Sequence, residues 1–280
     1  VVHYDLSKRV MISLGQQKLP GNRQQVVSSG ALQLVDRSIV NAAFTLDRDF
    51  GLWLTWKPVT GAMPLVVKGV VSSGEGRNAS PGDAALCYTG RAEWYPLGSF
   101  TSDGDYFEGD VVREQKPKLA VGVSMSDNDR ARRAGGQLGK TLYAGRTFRT
   151  FIADMVFKHN GWALSTEFAQ REAEQLPVTV DPTNIANTVS VYEGWGSCTQ
   201  LSYMLADKDE VVARYAMVTP SKRMTGELNK AEAWLGYNHY INGHRVKLQG
   251  DLSYNWTDDK AAFDHAGNYW GLWLQVELGI

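Results

Sequence analysis

The chain ends in the run Leu272-Trp273-Leu274-Gln275-Val276-Glu277-Leu278-Gly279-Ile280, in which every even position is aliphatic. The odd positions hold tryptophan, glutamine, glutamate and glycine. A period of two over a run of this length is typical of a β-strand with one apolar face and one polar face. The segment before it repeats the design: Val246, Leu248, Leu252 and Tyr254 share one face, and charged, amide and hydroxyl residues share the other. The C-terminal part of the chain is therefore predicted to be β-structure.

Similar alternation recurs along the chain, so the strand pattern extends far beyond the C-terminus. The segments that show it are 9–17, 48–57, 64–73, 84–96, 117–125, 147–158, 162–170, 198–206, 210–219 and 229–241. Together with Val1–Ser7 and the two C-terminal segments they give about 13 strands, close to the length typical of membrane-barrel strands. The segment 147–158 is less regular, because Ile152 and Val156 fall on its polar face. No helical period competes with this pattern, and the predicted fold class is all-β.

Composition excludes several functional classes. The 280 residues contain 29 Lys and Arg against 30 Asp and Glu, so the chain lacks the excess positive charge on which nucleic-acid binding depends. No run approaches the roughly 20 apolar residues of a membrane helix. The mean hydropathy of −0.30 is compatible with a membrane barrel, because barrel strands alternate polar and apolar residues. The histidines are scattered, and Cys87 and Cys198 are predicted to be free thiols, so we expect no metal site and no cofactor.

The connections between the predicted strands alternate between short and long. Short connections include 158–161 and 241–244, whereas long ones include 126–146 and 170–197. An outer-membrane barrel has this layout, with periplasmic turns and extracellular loops, whereas a soluble sandwich has no reason to sort its loops by end. The link Pro96–Lys118 is the exception, since it is long but falls on the short-turn side. We therefore predict a transmembrane antiparallel β-barrel in the outer membrane of a Gram-negative bacterium.

Strand parity predicts that further strands precede Val1. If the C-terminus lies in the periplasm, counting the connections back places Val1 at the extracellular end of a descending strand. Bacterial single-chain barrels have even strand numbers, so about 13 strands leave an odd number upstream. In the alternative, Val1–Arg9 is not a strand and the barrel is complete with about 12 strands. In both cases residues 1–280 form a single barrel domain.

Residues 12–51 resemble a known porin family. The strand end Ile12-Ser-Leu-Gly-Gln-Gln-Lys-Leu-Pro20, the loop residues Ser28-Ser29 through Asp36-Arg37-Ser38 and the strand start Arg48-Asp49-Phe50-Gly51 look like motifs of the phosphate-selective porin family (porin O and P). The resemblance implies a homotrimer of barrels with about 16 strands each, of which about three would precede Val1. One departure is the last residue, because such barrels usually end in Phe or Trp and this chain ends in Ile280.

A pore selects solutes through the side chains that face its lumen and through the loop that narrows it. By strand parity, slightly more basic than acidic residues are expected to face the lumen. A ring of cations there would attract anions. The pore-lining basic candidates are Lys68, Arg91, Arg214, Arg245 and Lys247. In the alternative interpretation, these cations pair with inward acids such as Glu93 on neighbouring strands and only solvate the wall.

The segment 18–48 is the predicted constriction loop. It is long and carries apolar residues such as Val26, Leu34 and Val40, which an extracellular loop does not need in water. Packing against the inner wall would bury these residues. The charged residues expected near the constriction are Arg23, Asp36, Arg37 and Arg48. In the alternative, Asp36, Arg37 and Arg48 only attach the loop to the wall.

The sequence thus predicts an outer-membrane porin for passive diffusion of small hydrophilic solutes, and the family resemblance adds anionic, phosphate-like ones. The alternative is a non-conducting barrel that anchors an outer-membrane complex through the loops 126–146 and 170–197. An enzyme is not expected, because the His-x-Ser-Asn-Gly pattern of outer-membrane phospholipases is absent. The expected partners are outer-membrane lipid, lipopolysaccharide and, in the alternative, proteins of such a complex, but no nucleic acid. A basic cluster in the loop 126–146, formed by Arg130, Arg132 and Arg133, either contacts acidic groups of lipopolysaccharide or only solvates the loop.

Overall fold

A computed structural model describes residues 1–78, 85–260 and 267–279. The strands are β1 (Val2–Ser7), β2 (Val10–Lys18), β3 (Arg48–Val59), β4 (Leu65–Ser72), β5 (Cys87–Trp94), β6 (Lys118–Arg133), β7 (Thr141–His159), β8 (Trp162–Ala173), β9 (Val178–Val180), β10 (Thr188–Ser190), β11 (Gly194–Met204), β12 (Asp209–Pro220), β13 (Lys230–Asn242), β14 (Val246–Thr257) and β15 (Tyr269–Leu278). All but β9 and β10 belong to one antiparallel sheet of 13 strands, which follow one another in chain order. The predicted all-β fold and its strand number are confirmed.

The sheet has two free edges in the described residues, because β1 and β15 are not paired with each other. One face of the sheet wraps around residues 19–47 and 95–117, and we call this side the lumen. The predicted strand start at Ala84 and the terminal residue Ile280 lie outside the described residues.

The alternation of the sequence corresponds to the two faces of the sheet. On β15 the aliphatic residues point away from the lumen, with Leu272 75% and Leu274 81% exposed. On β14 the polar residues Lys247 and Asp251 point into the lumen and are 0% and 1% exposed. An apolar outer face and a polar inner face are the arrangement of a barrel that contacts lipid outside and water or polar groups inside.

The irregular strand segment 147–158 has a structural explanation. Ile152 and Val156 do point into the lumen, as strand parity requires, but both are buried there. Ile152 belongs to a cluster with Phe44 of the segment 19–47, and Val156 to a cluster with Phe100 of the segment 95–117. The apolar residues on the polar face therefore mark the places where chain segments pack against the inner wall.

The predicted long loop 126–146 is mostly strand, because β6 and β7 extend into it and leave only residues 134–140 as the connection. Most other connections at the two ends of the sheet differ in length as predicted, and Pro96–Lys118 is the expected exception. We call these two ends of the sheet the short-turn end and the long-loop end. At the long-loop end, β6 and β7 are the longest strands, with 16 and 19 residues, and the hairpin β9–β10 packs beside them through Val189 and Val191. Helices are short: α1 (Arg23–Val26) and α2 (Ile39–Phe44), with 3₁₀ turns at Ser29–Ala31 and Thr101–Tyr106. Nowhere in the described part of the chain is a helix long and apolar enough to cross a membrane.

Candidate functional site in the lumen

The segment 19–47, here called the first inserted segment, enters the lumen from the long-loop end. Its apolar residues Leu19, Val40 and Phe44 are buried against the inner wall in one cluster with Trp53 and Ile152. Burial of apolar surface stabilises this position, because the same residues exposed in an external loop would each cost about 1.5–3 kcal/mol. The segment therefore lies along the wall rather than in the external solvent.

Local hydrogen bonds give the first inserted segment a defined shape. The Ser38 hydroxyl caps α2 by accepting a hydrogen bond from the backbone N–H of Asn41 at 3.2 Å. The Arg37 guanidinium donates to the carbonyls of Gln24 and Val27, at 2.9 and 3.0 Å, and so ties the two arms of the segment together. Arg37 therefore acts inside the segment, and its guanidinium attaches the segment to itself rather than to the wall.

Basic residues of the wall hold the backbone of the first inserted segment. Arg91 donates to the carbonyl of Gly21 and Arg214 to that of Asp36, both at 2.8 Å. Lys247 donates to the carbonyl of Leu32. Three of the five predicted pore-lining cations thus bind carbonyl oxygens of the segment, which removes them from a continuous cationic path through the lumen.

A second inserted segment, residues 95–117, enters from the short-turn end. The ammonium of Lys158 on β7 donates to three of its carbonyls: those of Gly104 at 2.7 Å, Phe107 at 2.8 Å, and Gly109. The Asp110 carboxylate accepts hydrogen bonds from the backbone N–H groups of Glu114 and Gly161, which pins the segment to the turn between β7 and β8. The extra residues that make the link Pro96–Lys118 unusually long therefore lie inside the lumen.

Two ionisable groups at the short-turn end have shifted pKa values. Burial and the nearby Lys247 and Lys158 lower the pKa of His244 to about 3, so the imidazole is neutral at physiological pH. Its Nε2 lies 2.9 Å from the Glu108 carbonyl oxygen, which can only accept, so Nε2 carries the hydrogen. Burial also raises the pKa of Asp110 above the usual carboxyl range. Both shifts follow from the tight packing of the second inserted segment against the turns.

The two inserted segments meet at a cluster of charged side chains in the middle of the lumen. Arg23 of the first segment donates to Asp154 at 2.7 Å and to Glu93 at 3.2 Å. Arg91 donates to the same two acids at 2.6 and 3.0 Å. The charged members are Arg23, Lys68, Arg91, Glu93, Asp105 and Asp154. Three cations and three acids give this central cluster a formal charge of zero.

Gly122 on β6 makes room for the central cluster. A Cβ atom at this position would lie 2.3 Å from Arg91 Nη2 and 2.7 Å from Asp154 Oδ2. Both are much closer than van der Waals contact, so any side chain here would displace the ion pair. The absence of a side chain at Gly122 is thus part of the site.

Open space remains along the inner face of β2 to β5. One cleft of about 160 Å³ lies towards the long-loop end, lined among others by Lys18, Trp53 and Lys68. A second cleft of about 380 Å³ lies towards the short-turn end, lined among others by Lys57 and Lys68. Lys68 and Glu93 line both clefts, so the two clefts meet at this ion pair.

Lys68 forms the junction between the clefts together with an aromatic residue of the second inserted segment. Its ammonium lies 2.7 Å from Glu93 Oε2 and 2.8 Å from the Tyr106 hydroxyl oxygen. The Lys68 side chain is 22% exposed, compared with 2% for Arg91. Lys68 is therefore the cation of the central cluster that a solute in the clefts can reach.

The structure separates the predicted residues into three groups. Lys68, Arg91 and Arg23 meet in the central cluster, whereas Arg214, Lys247 and Arg37 hold the first inserted segment. Arg245 lies in the exposed turn before β14 instead of on the wall, because β14 begins one residue later. Arg48 is the first residue of β3 and lies on the same outward face as Phe50 and Leu52. The Asp36 side chain is exposed, and the Asp36 backbone carbonyl accepts a hydrogen bond from Arg214. These three residues therefore do not belong to the central cluster.

Sequence reasoning missed Asp105 and Tyr106, which come from the second inserted segment. The sequence feature that could have indicated these two residues is the link Pro96–Lys118. It is too long for a turn, and a simple connection does not need its aromatic and acidic residues. Cys87 and Cys198 are free and buried, as predicted.

Comparison with known proteins agrees with this architecture. No family model matches the chain, and no curated protein matches its sequence. Among solved structures, OprB of Pseudomonas putida superposes with a TM-score of 0.53 at 11% identity, over 90% of this chain and 66% of that chain. The outer-membrane protein OmpT of Vibrio cholerae superposes with a TM-score of 0.50 at 10% identity, over 90% and 68%. This chain has the fold of an outer-membrane β-barrel.

The comparisons support the predicted outer-membrane location at the level of the fold, since the matched proteins come from the outer membrane of Gram-negative bacteria. A loop-deletion variant of the Vibrio cholerae protein matches with a TM-score of 0.51 at 12% identity, over 95% of this chain and 75% of that one. The chain thus spans about two thirds to three quarters of the length of these proteins. The resemblance to the phosphate-selective porin family stays a prediction.

Proposed function

We propose that the protein is an outer-membrane porin that lets small hydrophilic anions diffuse along the inner face of β2 to β5. The observation that carries this proposal is the pair of clefts that meet at Lys68 and Glu93. The inserted segments cover much of the wall further round the sheet, and the cavity between them and β7, β8 and β11 has a volume of only about 50 Å³. The two clefts are therefore larger spaces for a solute than this cavity. Passive diffusion needs only such a hydrated path with a narrow point.

The charges that a solute meets in these clefts favour anions. The lysines Lys18, Lys57 and Lys68 line the two clefts. The acids Glu93 and Asp105 also line them but are 2% and 5% exposed and already paired with cations, whereas the third acid of the lining, Asp103, is exposed. The three lysines outnumber the one exposed acid, so the accessible charge of the clefts attracts small anions, and phosphate-like anions agree with the family resemblance.

The substitution Lys68→Gln is expected to lower the preference for anions. It removes the reachable cation and leaves Glu93 less neutralised, so both effects favour cations. A unit charge about 4 Å away in water is worth about 1 kcal/mol, which corresponds to a change of about fivefold in the anion-to-cation permeability ratio. The zero-current potential of a planar bilayer in a salt gradient measures this ratio.

Arg245→Gln is the matched control, because it removes one positive charge from the exposed turn instead of from the clefts. Its permeability ratio should equal that of the wild type. Equal ratios for Lys68→Gln and wild type, in channels that conduct, would show that the solute path does not pass Lys68.

A second candidate is the non-conducting barrel, and a specific observation favours it. Side chains on the lumen face of β8, β12 and β14 are almost inaccessible, with Arg171 1%, Glu210 0% and Lys247 0% exposed. A lumen filled to this degree suits a barrel that serves as an anchor. Bilayer recordings in which the intact folded protein gives no ion-permeable channel would favour this candidate over the porin.

A further inference from the structure

A small cavity borders the central cluster on the side away from the two clefts. It has a volume of about 50 Å³ and lies between β7, β8, β11 and the two inserted segments. Two of its lining side chains, Glu167 on β8 and Gln200 on β11, each have one oxygen without a hydrogen-bond partner in the described residues, Glu167 Oε2 and Gln200 Oε1. The two residues are only 8% and 2% exposed, so bulk water does not compensate these atoms. Because an unpaired buried acceptor is unfavourable, above all a charged one, both oxygens indicate a ligand in the cavity.

The two oxygens belong to neighbouring strands of the wall. Glu167 is paired opposite Cys198, and Gln200 follows two residues later on the same lumen face of β11. Such diagonal neighbours have Cα atoms about 7–8 Å apart, within reach of two long side chains. Ser165 stands opposite Gln200, lines the same cavity and adds a hydroxyl oxygen. One small ligand can therefore contact Glu167 and Gln200 together.

Hydrogen bonds fix which atom of the Gln200 amide faces the cavity. Gln200 Nε2 donates to Glu108 Oε2 at 2.9 Å and to Gln33 Oε1 at 2.6 Å. A carboxylate oxygen only accepts, so the Gln200 atom next to Glu108 must be the amide nitrogen. Gln33 is oriented in the same way, because its Nε2 donates to the Glu210 carboxylate at 2.6 Å. The acceptor oxygen of Gln200 is thus the atom left without a partner, and it needs a donor or a cation.

The cationic side chains that line the cavity do not supply this partner. Lys158 donates its three hydrogens to three backbone carbonyls of the second inserted segment. The Arg23 guanidinium is engaged by three carboxylates of the central cluster. The backbone N–H groups of Arg23 and Gln24 hold the Glu167 carboxylate in place but leave its Oε2 unpaired. Within the described part of the chain, the negative charge of Glu167 is therefore not neutralised by an ion pair.

We propose that the cavity binds a small monovalent cation, of the class of K⁺, Na⁺ and ammonium, between Glu167 and Gln200. The positive charge neutralises Glu167, and both unpaired oxygens become ligands of the cation together with the Ser165 hydroxyl. The volume admits an ion with one or two water molecules, since about 10–15 Å³ is sufficient for one water molecule. A divalent ion would need several carboxylates, and no group of three or more His, Cys, Asp or Glu side chains in the described residues could hold a metal ion.

The bound cation connects the wall to both inserted segments. Gln200 is linked through Gln33 to the first inserted segment and through Glu108 to the second. A cation held by Gln200 and Glu167 therefore stabilises the packing of both segments against β8 and β11. Because the unfolded chain lacks this site, the cation is expected to stabilise the folded protein.

Unfolding in urea with two chloride salts tests the proposal. The full chain in detergent micelles is unfolded in KCl and in tetraethylammonium chloride of equal concentration, whose cation is too large for the cavity. Binding to the folded protein alone raises the folded-to-unfolded ratio about tenfold once the K⁺ concentration reaches ten times the dissociation constant. The wild type should therefore show an increase of this size when KCl replaces the other salt at constant chloride. E167Q should show none, because it lacks the charge that holds the cation.

The matched control is E232Q. Glu232 is also a buried acid of the lumen, 2% exposed, but it pairs with Arg214 and does not line the cavity. E232Q is expected to lose stability equally in both salts and to keep the full increase with K⁺. If E167Q does not fold, Q200L removes the second unpaired oxygen and should reduce the increase.

Crystals soaked in thallium(I) nitrate show the ion directly, since Tl⁺ replaces K⁺ and scatters anomalously. An anomalous peak between Glu167 and Gln200 is expected in the wild type and not in E167Q. The proposal is wrong if the wild type unfolds alike in both salts, if E167Q keeps the cation dependence, or if the cavity holds ordered water without an anomalous peak. None of these readouts requires an open channel, so the test does not depend on the proposed porin function.

Discussion

Replacing residues 22–45 by a short Gly-Ser linker is expected to raise the single-channel conductance several-fold. The replacement removes most of the first inserted segment, which covers the lumen faces of strands from β5 to β14. Wall residues that are now buried, such as Glu210 and Lys247, would contact water instead. Because conductance increases with the cross-section of the hydrated path, this change has the largest expected effect on function.

The barrel is expected to tolerate this replacement. Gly21 and Leu46 are in contact across the base of the segment, and the N–H of Leu19 donates to the carbonyl of Asp47 at 3.1 Å. A linker of a few residues can therefore join β2 to β3 without altering the pairing of Lys18 with Arg48. Planar-bilayer recordings measure the conductance, and circular dichroism checks that the strand content is retained.

A matched control shortens a loop outside the lumen. Replacing residues 181–187, which connect β9 to β10, by a similar linker removes external chain only and should leave the conductance at the wild-type value. If the variant that lacks residues 22–45 folds but conducts like the wild type, the first inserted segment does not limit the path. If the wild type is closed and only this variant conducts, the non-conducting candidate gains support.

Period-two alternation was sufficient to predict the fold because the outer face of a barrel must be apolar along every strand. The exposed aliphatic residues of β15 show this directly. The pattern depends only on residues close in sequence, so it can be read from one chain. Even its irregularity was informative, since Ile152 and Val156 turned out to be contact points of the inserted segments.

The interior could be predicted only in part, because its contacts join residues far apart in sequence. Arg23 and Asp154 are separated by 131 positions, and nothing local to either residue indicates the other. Strand parity could predict that Arg91, Arg214 and Lys247 face the lumen. It could not predict that these side chains would donate hydrogen bonds to backbone carbonyls of the first inserted segment. For Arg245, a shift of one residue in the strand boundary moved a predicted wall residue into a turn.

Arg23→Ala is expected to destabilise the protein by about 3–5 kcal/mol, the usual cost of removing one partner from a buried ion pair. Arg23 is 6% exposed, and its loss leaves Asp105 without its cation and Asp154 and Glu93 with one fewer. The three carboxylates are only 1–6% exposed, so they would regain little hydration after the loss of Arg23. Urea unfolding in detergent micelles, followed by tryptophan fluorescence, measures the change.

Two further variants show whether the effect comes from the buried charge network. Arg23→Lys keeps the positive charge but loses the forked geometry that contacts Asp154 and Glu93 together, so its destabilisation should fall between those of Arg23→Ala and the wild type. Arg149→Ala removes an arginine that also pairs with two acids but is 63% exposed, and no measurable change is expected. Equal stabilities for Arg23→Ala and Arg149→Ala would mean that water reaches the central cluster, and the path along β2 to β5 would then be wider than the clefts indicate.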